Sequence, residues 1–176
     1  MKKSVFKFLI LSVLVATAPI AQGVPLAGLQ EVSSYRLTVL GYLKIFSASL
    51  YSDASSASLE FPSESEVALK FVYHRNIDRK ELVNRGITAL EKQFDQSTME
   101  RFAAALQKIN DSYQDISKND SYVLRFTPNL GLSLFFNENR VINIPDDDFA
   151  RFYLSIWLGK STPNQSIRKS LIPSSK

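Results

Sequence analysis

The stretch that decides the fold is Asp146–Leu171, DDDFARFYLSIWLGKSTPNQSIRKSL, near the end of the 176-residue chain. Its large apolar residues recur at helical spacing and predict one continuous stripe: Phe149, Phe152, Tyr153, Ile156 and Trp157. A stripe of this kind is typical of a helix that covers one face of a sheet. We therefore interpret the stretch as part of the core and not as a catalytic segment.

The ends of this helix carry residues with known positional preferences. Asp146 is expected to cap the N-terminus, and the two aspartates after it lie where the helix dipole favours negative charge. Gly159 is expected to end the helix in a left-handed conformation. Thr162 and Pro163 should then begin a second short helix, with threonine as cap and proline at the first helical position. Capping accounts for all three carboxylates, so no metal site is assigned to them.

The N-terminus has the pattern of a secretory signal peptide. Three lysines accompany a short apolar run, Phe8–Ala16, and Ala21-Gln22-Gly23 is a small-x-small cleavage site, with Ala16-Thr17-Ala18 as the alternative. The apolar run is short for a membrane span. We therefore predict a signal peptide at 1–23, a single mature domain at 24–176 without a membrane span, and a periplasmic location. An uncleaved anchor is the alternative.

Composition excludes several classes of protein. The chain has 21 Lys+Arg and 17 Asp+Glu, and removal of the three leader lysines leaves 18 against 17. This balance gives no support for a nucleic-acid partner. The absence of cysteine excludes disulfides and a thiol nucleophile. Some 150 mature residues with 12 phenylalanines and seven tyrosines suffice for one domain with a substantial core.

The remaining chain divides into segments of alternating and helical periodicity. Two capping boxes, Asp78–Glu81 and Ser97–Glu100, predict two consecutive helices in the middle of the chain. Val24–Ser34 is either an edge strand or a lead-in, and Gly41 marks a bulge or hairpin bend, so that Tyr35–Tyr51 forms two strands or one bent strand. The other predicted strands are Glu66–Tyr73, Ser121–Thr127, Leu132–Asn137 and Arg140–Ile144.

The order of these segments predicts the fold class. Strands and helices do not alternate singly, which argues against a doubly wound parallel sheet. We predict an α+β domain with a mostly antiparallel sheet and helices layered on one face.

Candidate site residues are few. Arg36, Thr38, Tyr42 and Lys44 share one strand face and are able to surround the carboxylate of an apolar ligand. Spacing alone favours the simpler interpretation, in which this face is solvated. His74, the single histidine, is interpreted as a hydrogen-bonded or solvated loop residue. No metal or cofactor motif is present.

Four segments resemble the chalcone isomerase-like family, in a bacterial secreted form. They are LTVLGYLKIFSASLY, ALKFVYHRNIDRKELV, YVLRFTPNLGLSLFFN and FARFYLSIWLGKSTPNQSIRKSL, in preserved order between Gly28 and Leu171. The IWLG sequence with its polar loop and short helix is the most specific piece. The resemblance implies an open-faced sandwich, an antiparallel sheet under a layer of helices, with a ligand pocket between sheet and helices.

Function within this family divides into two kinds. Plant chalcone isomerases use a strand arginine, a strand threonine and a Tyr-x-x-Lys-x-x-x-Asn helix pattern. Arg36 lies near the expected arginine, but alignment puts Phe46 at the threonine, and neither Glu81–Phe94 nor Met99–Tyr113 contains the helix pattern. Other members bind fatty acids through the strand arginine and a tyrosine, for which Tyr42 or Tyr51 is a candidate.

Three hypotheses therefore remain. The resemblance favours a non-catalytic secreted protein that binds a fatty acid or similar apolar carboxylate, with Arg36 central to the site. The first alternative is an isomerase, an intramolecular lyase with a divergent active site. The second is an envelope interaction or structural domain whose pocket is filled by its own side chains.

Overall fold

The computed structural model describes residues 24–39, 41–53, 61–62 and 64–172, and it contains one open sheet covered by helices. Six antiparallel strands lie side by side in chain order. The strands are β1 (Gln30–Val39), β2 (Leu43–Ser52), β3 (Val67–Tyr73), β4 (Ser121–Thr127), β5 (Gly131–Phe136) and β6 (Asn139–Ile144). The helices are α1 (Arg79–Glu91), α2 (Gln96–Asp111), α3 (Asp147–Leu158) and α4 (Gln165–Leu171). The predicted α+β class is confirmed.

The register of the strands divides the sheet into two faces. Residues directly opposite each other across antiparallel strands share a face. Leu50, Leu69, Leu124 and Leu134 lie in one such row and belong to the main core under the helices. We call this the inner face. Ala68, Val123 and Phe135 belong to a second, smaller cluster on the opposite side, the outer face.

Helix α3 lies in the centre of the core, as its apolar stripe predicts. Phe149, Phe152, Tyr153 and Ile156 are buried, while Trp157 is half-buried and packs on Phe71 of β3 at a centroid distance of 5.0 Å. Burial extends beyond the stripe to further residues of the helix, Ala150, Leu154, Ser155 and Leu158. The helix therefore contacts neighbouring elements on most sides.

The predicted N-terminal cap of α3 is confirmed, but the predicted role of Gly159 is wrong. Asp146 accepts a hydrogen bond from the Phe149 amide at 2.9 Å. Gly159 has a φ of −63° and is extended, not left-handed. A Cβ at Gly159 would lie 2.7 Å from Gln93 Oε1 and 2.8 Å from the Ser155 carbonyl oxygen. Glycine is needed here because the chain after α1 packs directly against it.

The predicted start of the second helix is also wrong. Helix α4 begins at Gln165 with Asn164 as its cap residue. Thr162 is buried instead: its hydroxyl donates to the Ile156 carbonyl and accepts from the Asn164 amide. Threonine at this position therefore fastens the loop to the end of α3.

Both capping boxes need correction. At α1, Asp78 accepts from the Lys80 amide, while Glu81 pairs with Arg85 one turn later and does not reach back to the cap. At α2, the cap is Asp95, which accepts from the Thr98 amide, so the helix begins before the predicted box. An aspartate with a free amide two or three residues ahead competes effectively with serine as a cap.

The first predicted strand segment forms a hairpin of two strands. The connection contains Gly41 at a φ of +76°, a left-handed value that favours glycine. A bulge near the hairpin end places one extra β2 residue, Ile45, between the Leu37–Phe46 and Thr38–Lys44 pairs. Most of the connection after β2 lies outside the described residues.

The predicted meander of β4, β5 and β6 is confirmed within one residue at each end. Its second turn has Asn137 and Glu138 at positive φ, the conformation that suits a two-residue hairpin. The first turn leads into Gly131, the first residue of β5, which has a φ of +76°. Asp147 of α3 accepts hydrogen bonds from the Asn129 and Gly131 amides at 2.9 and 3.2 Å, so this carboxylate connects the helix to the turn.

The chain before β1 crosses the outer face. Leu26 and Leu29 pack on the small outer cluster, and Arg125 fastens this segment. The Arg125 guanidinium donates to the carbonyl oxygens of Val24, Pro25 and Ala27 at 3.1, 3.4 and 3.0 Å, and to Glu66 Oε1 at 2.7 Å. The residues just after the predicted leader are thus part of the folded domain.

Candidate functional site

An apolar groove of about 470 Å³ opens between the loop after β2, α2 and α3. Four phenylalanines line it: Phe61, Phe94, Phe102 and Phe152. Phe152 lies at the centre of the set, with centroid distances of 4.9 Å to Phe94 and 4.6 Å to Phe102. We call this the Phe groove. Its volume falls within the range of roughly 300–1,000 Å³ that is usual for small-ligand sites.

The rim of the Phe groove is predominantly basic. Arg101, Arg151 and Lys160 line it, together with a single carboxylate, Asp148. Arg101 pairs with Asp148 at 2.6 Å and Arg151 pairs with Glu64 at 3.0 Å. Across the part of the chain that the structure describes, no carboxylate pairs with the exposed Lys160 ammonium. An apolar floor beside a cation suits a ligand with a long hydrocarbon part and a negative end.

The space between sheet and helices is filled by aromatic side chains. Tyr73, Tyr113, Tyr122 and Tyr153 are buried there beside Phe71. The Tyr153 hydroxyl donates to the Tyr113 hydroxyl at 2.9 Å. Tyr122 accepts from the Gln114 amide at 2.8 Å. Phenol rings therefore occupy the region where the family resemblance places a ligand pocket.

Burial keeps these phenols protonated. It raises the pKa of Tyr113 well above its ordinary value, and the neighbouring Tyr153 raises it further. Burial also raises the pKa of Tyr153, which the hydrogen bond with Tyr113 only partly offsets. Burial has the same effect on the pKa of Tyr73. Neutral phenols donate hydrogen bonds but do not act as bases near neutral pH.

Removal of one hydroxyl of this pair should destabilise the domain. We expect Tyr153→Phe to lower the free energy of unfolding by about 1–3 kcal/mol, because the Tyr113 hydroxyl loses its buried partner. The double variant Tyr113→Phe/Tyr153→Phe should recover part of the loss, since no unpaired hydroxyl remains. Urea unfolding of both variants and the parent measures this coupling. Equal stability of the single and double variants would contradict it.

The predicted ligand residues lie away from the helices. Arg36 is opposite Ser47, and Thr38 is opposite Lys44, all on the outer face and apart from the Phe groove. Arg36, Thr38 and Lys44 are exposed and lie on neighbouring positions of β1 and β2, while Tyr42 of the predicted set is not on a strand. Their role in binding a ligand stays a prediction.

The two candidate tyrosines are separated from each other. Tyr42 lies in the hairpin connection and is highly exposed. Tyr51 lies at the other end of β2 on the outer face, packs against the small cluster there and donates to Glu31 at 3.0 Å. Burial and the Glu31 carboxylate raise the pKa of Tyr51. One small ligand at Arg36 is therefore able to contact at most one of them.

His74 has a partner that the sequence does not indicate. Its Nε2 atom lies 2.8 Å from Ser47 Oγ, and both residues lie on the outer face. The interpretation of His74 as a hydrogen-bonded residue agrees with this contact. No group of three or more His, Cys, Asp or Glu residues in the described ranges is arranged to hold a metal ion.

Comparison with known families decides the assignment. The sequence model described as "Chalcone isomerase-like" matches residues 37–172, which is most of the chain. The chain belongs to the chalcone isomerase-like family. The matched region contains β2 to β6 and all four helices, so the whole helical layer belongs to the family domain.

A solved structure with the same fold is the fatty-acid binding protein of Arabidopsis thaliana. The match has a TM-score of 0.64 at 12% sequence identity and covers 85% of this chain and 89% of that protein. At this identity the similarity establishes the fold of the chalcone isomerase-like domain and not its ligand. No curated protein sequence matches the chain at a significant level.

Proposed function

We propose that this chalcone isomerase-like protein binds a fatty acid or a similar apolar carboxylate in the Phe groove. The observation that carries the proposal is the combination of four phenylalanines with a basic rim in one groove. The hydrocarbon part would lie over the Phe152 ring and its neighbours, where burial of apolar surface provides most of the binding free energy. The carboxylate would lie at Lys160, which has no competing carboxylate partner among the described residues.

The similarity to a fatty-acid binding protein supports the ligand class, but the position differs from the one that the resemblance implies. Tyrosine side chains occupy the inner space next to β3 and β4. The Phe groove lies at the other side of α3, among the helices and the loop after β2. The apolar carboxylate would thus bind on the helical layer and not at Arg36.

A second candidate function is that of an interaction or structural domain in the cell envelope that binds no small ligand. Arg36 faces solvent, and the inner space is filled by the protein's own side chains. Both observations fit this alternative as well as they fit a displaced site. The isomerase alternative gains no support from the buried tyrosines, because protonated phenols do not act as general bases. Secretion to the periplasm, predicted from residues 1–23, lies outside the described residues and is part of the proposal.

Ligand titration with variants of the groove tests the proposal. We expect dodecanoate to bind the protein, as measured by native mass spectrometry and isothermal titration, and dodecanol to bind more weakly because it lacks the charge. Thr98→Trp should abolish binding, because Thr98 lines the groove and a bulky side chain would fill it. Lys160→Glu should weaken binding by about tenfold through charge reversal.

Control variants with the same substitutions at other positions distinguish loss of the binding site from a general effect on the protein. Thr88→Trp on exposed α1 surface and Lys169→Glu on α4 carry the same changes away from the groove and should leave binding unaltered. If Arg36→Ala loses dodecanoate binding while the groove variants keep it, the binding site would be assigned to the outer face and not to the Phe groove. Absence of any dodecanoate binding would favour the domain without a ligand.

A further inference from the structure

The hairpin between β1 and β2 exposes two adjacent large apolar side chains. Tyr42 is 76% exposed and Leu43 is 43% exposed, and neither packs against the two apolar clusters of the domain. Single exposed apolar residues are common on protein surfaces. Two adjacent exposed apolar side chains at the end of a hairpin form a small apolar patch, and such patches often mark an interaction surface.

The strands behind this tip carry cationic residues, and β1 has one acidic residue, Glu31, at its far end beside Tyr51. Residues 32–52 and 67–77 contain four cationic residues and neither aspartate nor glutamate, although the whole chain has 17 acidic residues. The four cations are Arg36, Lys44, Lys70 and Arg75. The part of the sheet next to the hairpin therefore has cationic residues without acidic ones, while Glu31 lies at the opposite end of β1.

Three of these cations share the outer face. Lys44 is opposite Thr38, Arg36 is opposite Ser47, and Lys70 is opposite Ser49. Arg75 is exposed just beyond the end of β3. The nearby Asp120 carboxylate accepts from the Ser117 amide and from Asn137 Nδ2, and it keeps its negative charge because both donors are neutral. The face therefore combines ammonium and guanidinium groups with a row of serine and threonine hydroxyls.

We infer that the Tyr42–Leu43 tip and the adjacent basic outer face dock on an anionic phospholipid bilayer. Tyrosine suits the boundary between water and lipid because its ring is apolar and its hydroxyl is polar. Leu43 adds apolar surface, and the cations behind the tip contact lipid phosphates. Charge complementarity alone would also fit a soluble polyanion; the apolar tip favours the bilayer. This inference does not depend on the proposed carboxylate binding.

Sedimentation with vesicles tests the inference. The parent protein and all variants are produced in the same way, so that they have the same N-terminus and differ only at the substituted residues. We expect the parent protein to bind vesicles of equal parts phosphatidylcholine and phosphatidylglycerol, to bind phosphatidylcholine vesicles much more weakly, and to dissociate in high salt. Arg36→Gln/Lys44→Gln should weaken binding to the anionic vesicles by about fivefold for each cation removed. Tyr42→Ser/Leu43→Ser should weaken it by about tenfold.

The controls use equally exposed positions elsewhere. Leu130 is 62% exposed in the turn between β4 and β5, so Leu130→Ser should leave vesicle binding unchanged. Lys108→Gln/Lys169→Gln removes the same charge from exposed helix positions and should also have no effect. Circular dichroism establishes that every variant is folded.

Three results would overturn the inference. The first is equal binding to neutral and anionic vesicles. The second is unchanged vesicle binding in Tyr42→Ser/Leu43→Ser, or an equal loss in Leu130→Ser. The third is binding to soluble polyphosphate that is as tight as binding to vesicles and independent of the Tyr42 and Leu43 substitutions, which would assign the basic face to a soluble polyanion.

Discussion

Gly131→Ala is expected to lower the free energy of unfolding by at least about 3 kcal/mol. Gly131 has a φ of +76°, which costs an L-residue about 1–2 kcal/mol. The larger cost is steric. A Cβ there would lie 2.1 Å from the Ile144 carbonyl oxygen, 2.4 Å from the Asp146 nitrogen and 2.9 Å from the Pro145 Cα. All three atoms are backbone, so no side-chain rotation relieves the overlap.

The position makes the overlap especially damaging. The contacted backbone leads directly into α3, whose cap is Asp146 and whose next residue, Asp147, accepts from the Gly131 amide. Displacing the turn would therefore disturb both the cap and the helix behind it. Thermal and urea unfolding of Gly131→Ala against the parent measures the loss.

Gly41→Ala is the matched control for this prediction. Gly41 has the same φ of +76°, but a Cβ at this position would have nothing within 4 Å. The substitution should cost only the conformational part, about 1–2 kcal/mol. Equal losses for the two variants would show that the contacts at Ile144 and Asp146 contribute nothing.

Arg125→Met is expected to lower the free energy of unfolding by about 3 kcal/mol. The side chains of Arg125 and Glu66 are only 18% and 19% exposed. Removing the guanidinium leaves the Glu66 carboxylate partly buried, with the Thr127 hydroxyl still donating to it. It also frees three carbonyl oxygens of the segment before β1. Methionine keeps much of the length of the side chain, so the change is mainly electrostatic.

The pH dependence of stability gives a second measure of the same pair. Burial raises the pKa of Glu66, but the hydrogen bonds from Arg125 and Thr127 and the Arg125 charge outweigh it, so the net pKa is lowered from 4.5. A lowered carboxyl pKa stabilises the folded state above the unfolded-state value. This stabilisation should be lost as the pH falls below about 4.5 through the folded-state pKa.

The variants should differ in this acid range. In Arg125→Met the main cause of the lowered pKa is gone, so the loss of stability on acidification should be smaller than in the parent. Arg125→Met/Glu66→Met removes both charges and should recover much of the stability of the single variant. An Arg125→Met protein with the acid sensitivity of the parent would contradict this account.

Much of the fold follows from the sequence because its periodicities are strong. The alternation in β3 and β4 and the helical stripe of α3 each have one way to bury their apolar residues, and the structure uses it. The failures are local. The place of Gly159 after a helix predicts a left-handed conformation, but the residue is glycine because Gln93, far away in sequence, packs against it. Asp95 and Thr162 bond to groups that a local pattern does not identify.

The candidate site is less accessible to sequence reasoning. The Phe groove joins Phe61, Phe94, Phe102 and Phe152 from four separate segments, which only tertiary packing brings together. Phe94 gives one signal, since it follows Val83, Ile87 and Leu90 at helical spacing and lies just beyond the end of α1. Arg36, Thr38 and Lys44 lie on the outer face, whereas Tyr42, which alternation groups with them, lies in the hairpin connection. Alternation alone also does not say which face the helices cover.

The sequential order of the strands has a consequence for the order of assembly. Each strand from β2 onward pairs with the one just before it, so the sheet is able to grow strand by strand, with α1 and α2 inserted between β3 and β4. The packing of β1 is not local in this way, because α4 covers its inner face. The Ser33 hydroxyl donates a hydrogen bond to the Leu171 carbonyl oxygen, 138 residues away. Completion of the packing around β1 thus requires α4, which comes much later in the chain. Until α4 has been synthesised, the inner face of β1 lacks the helix that covers it in the folded domain.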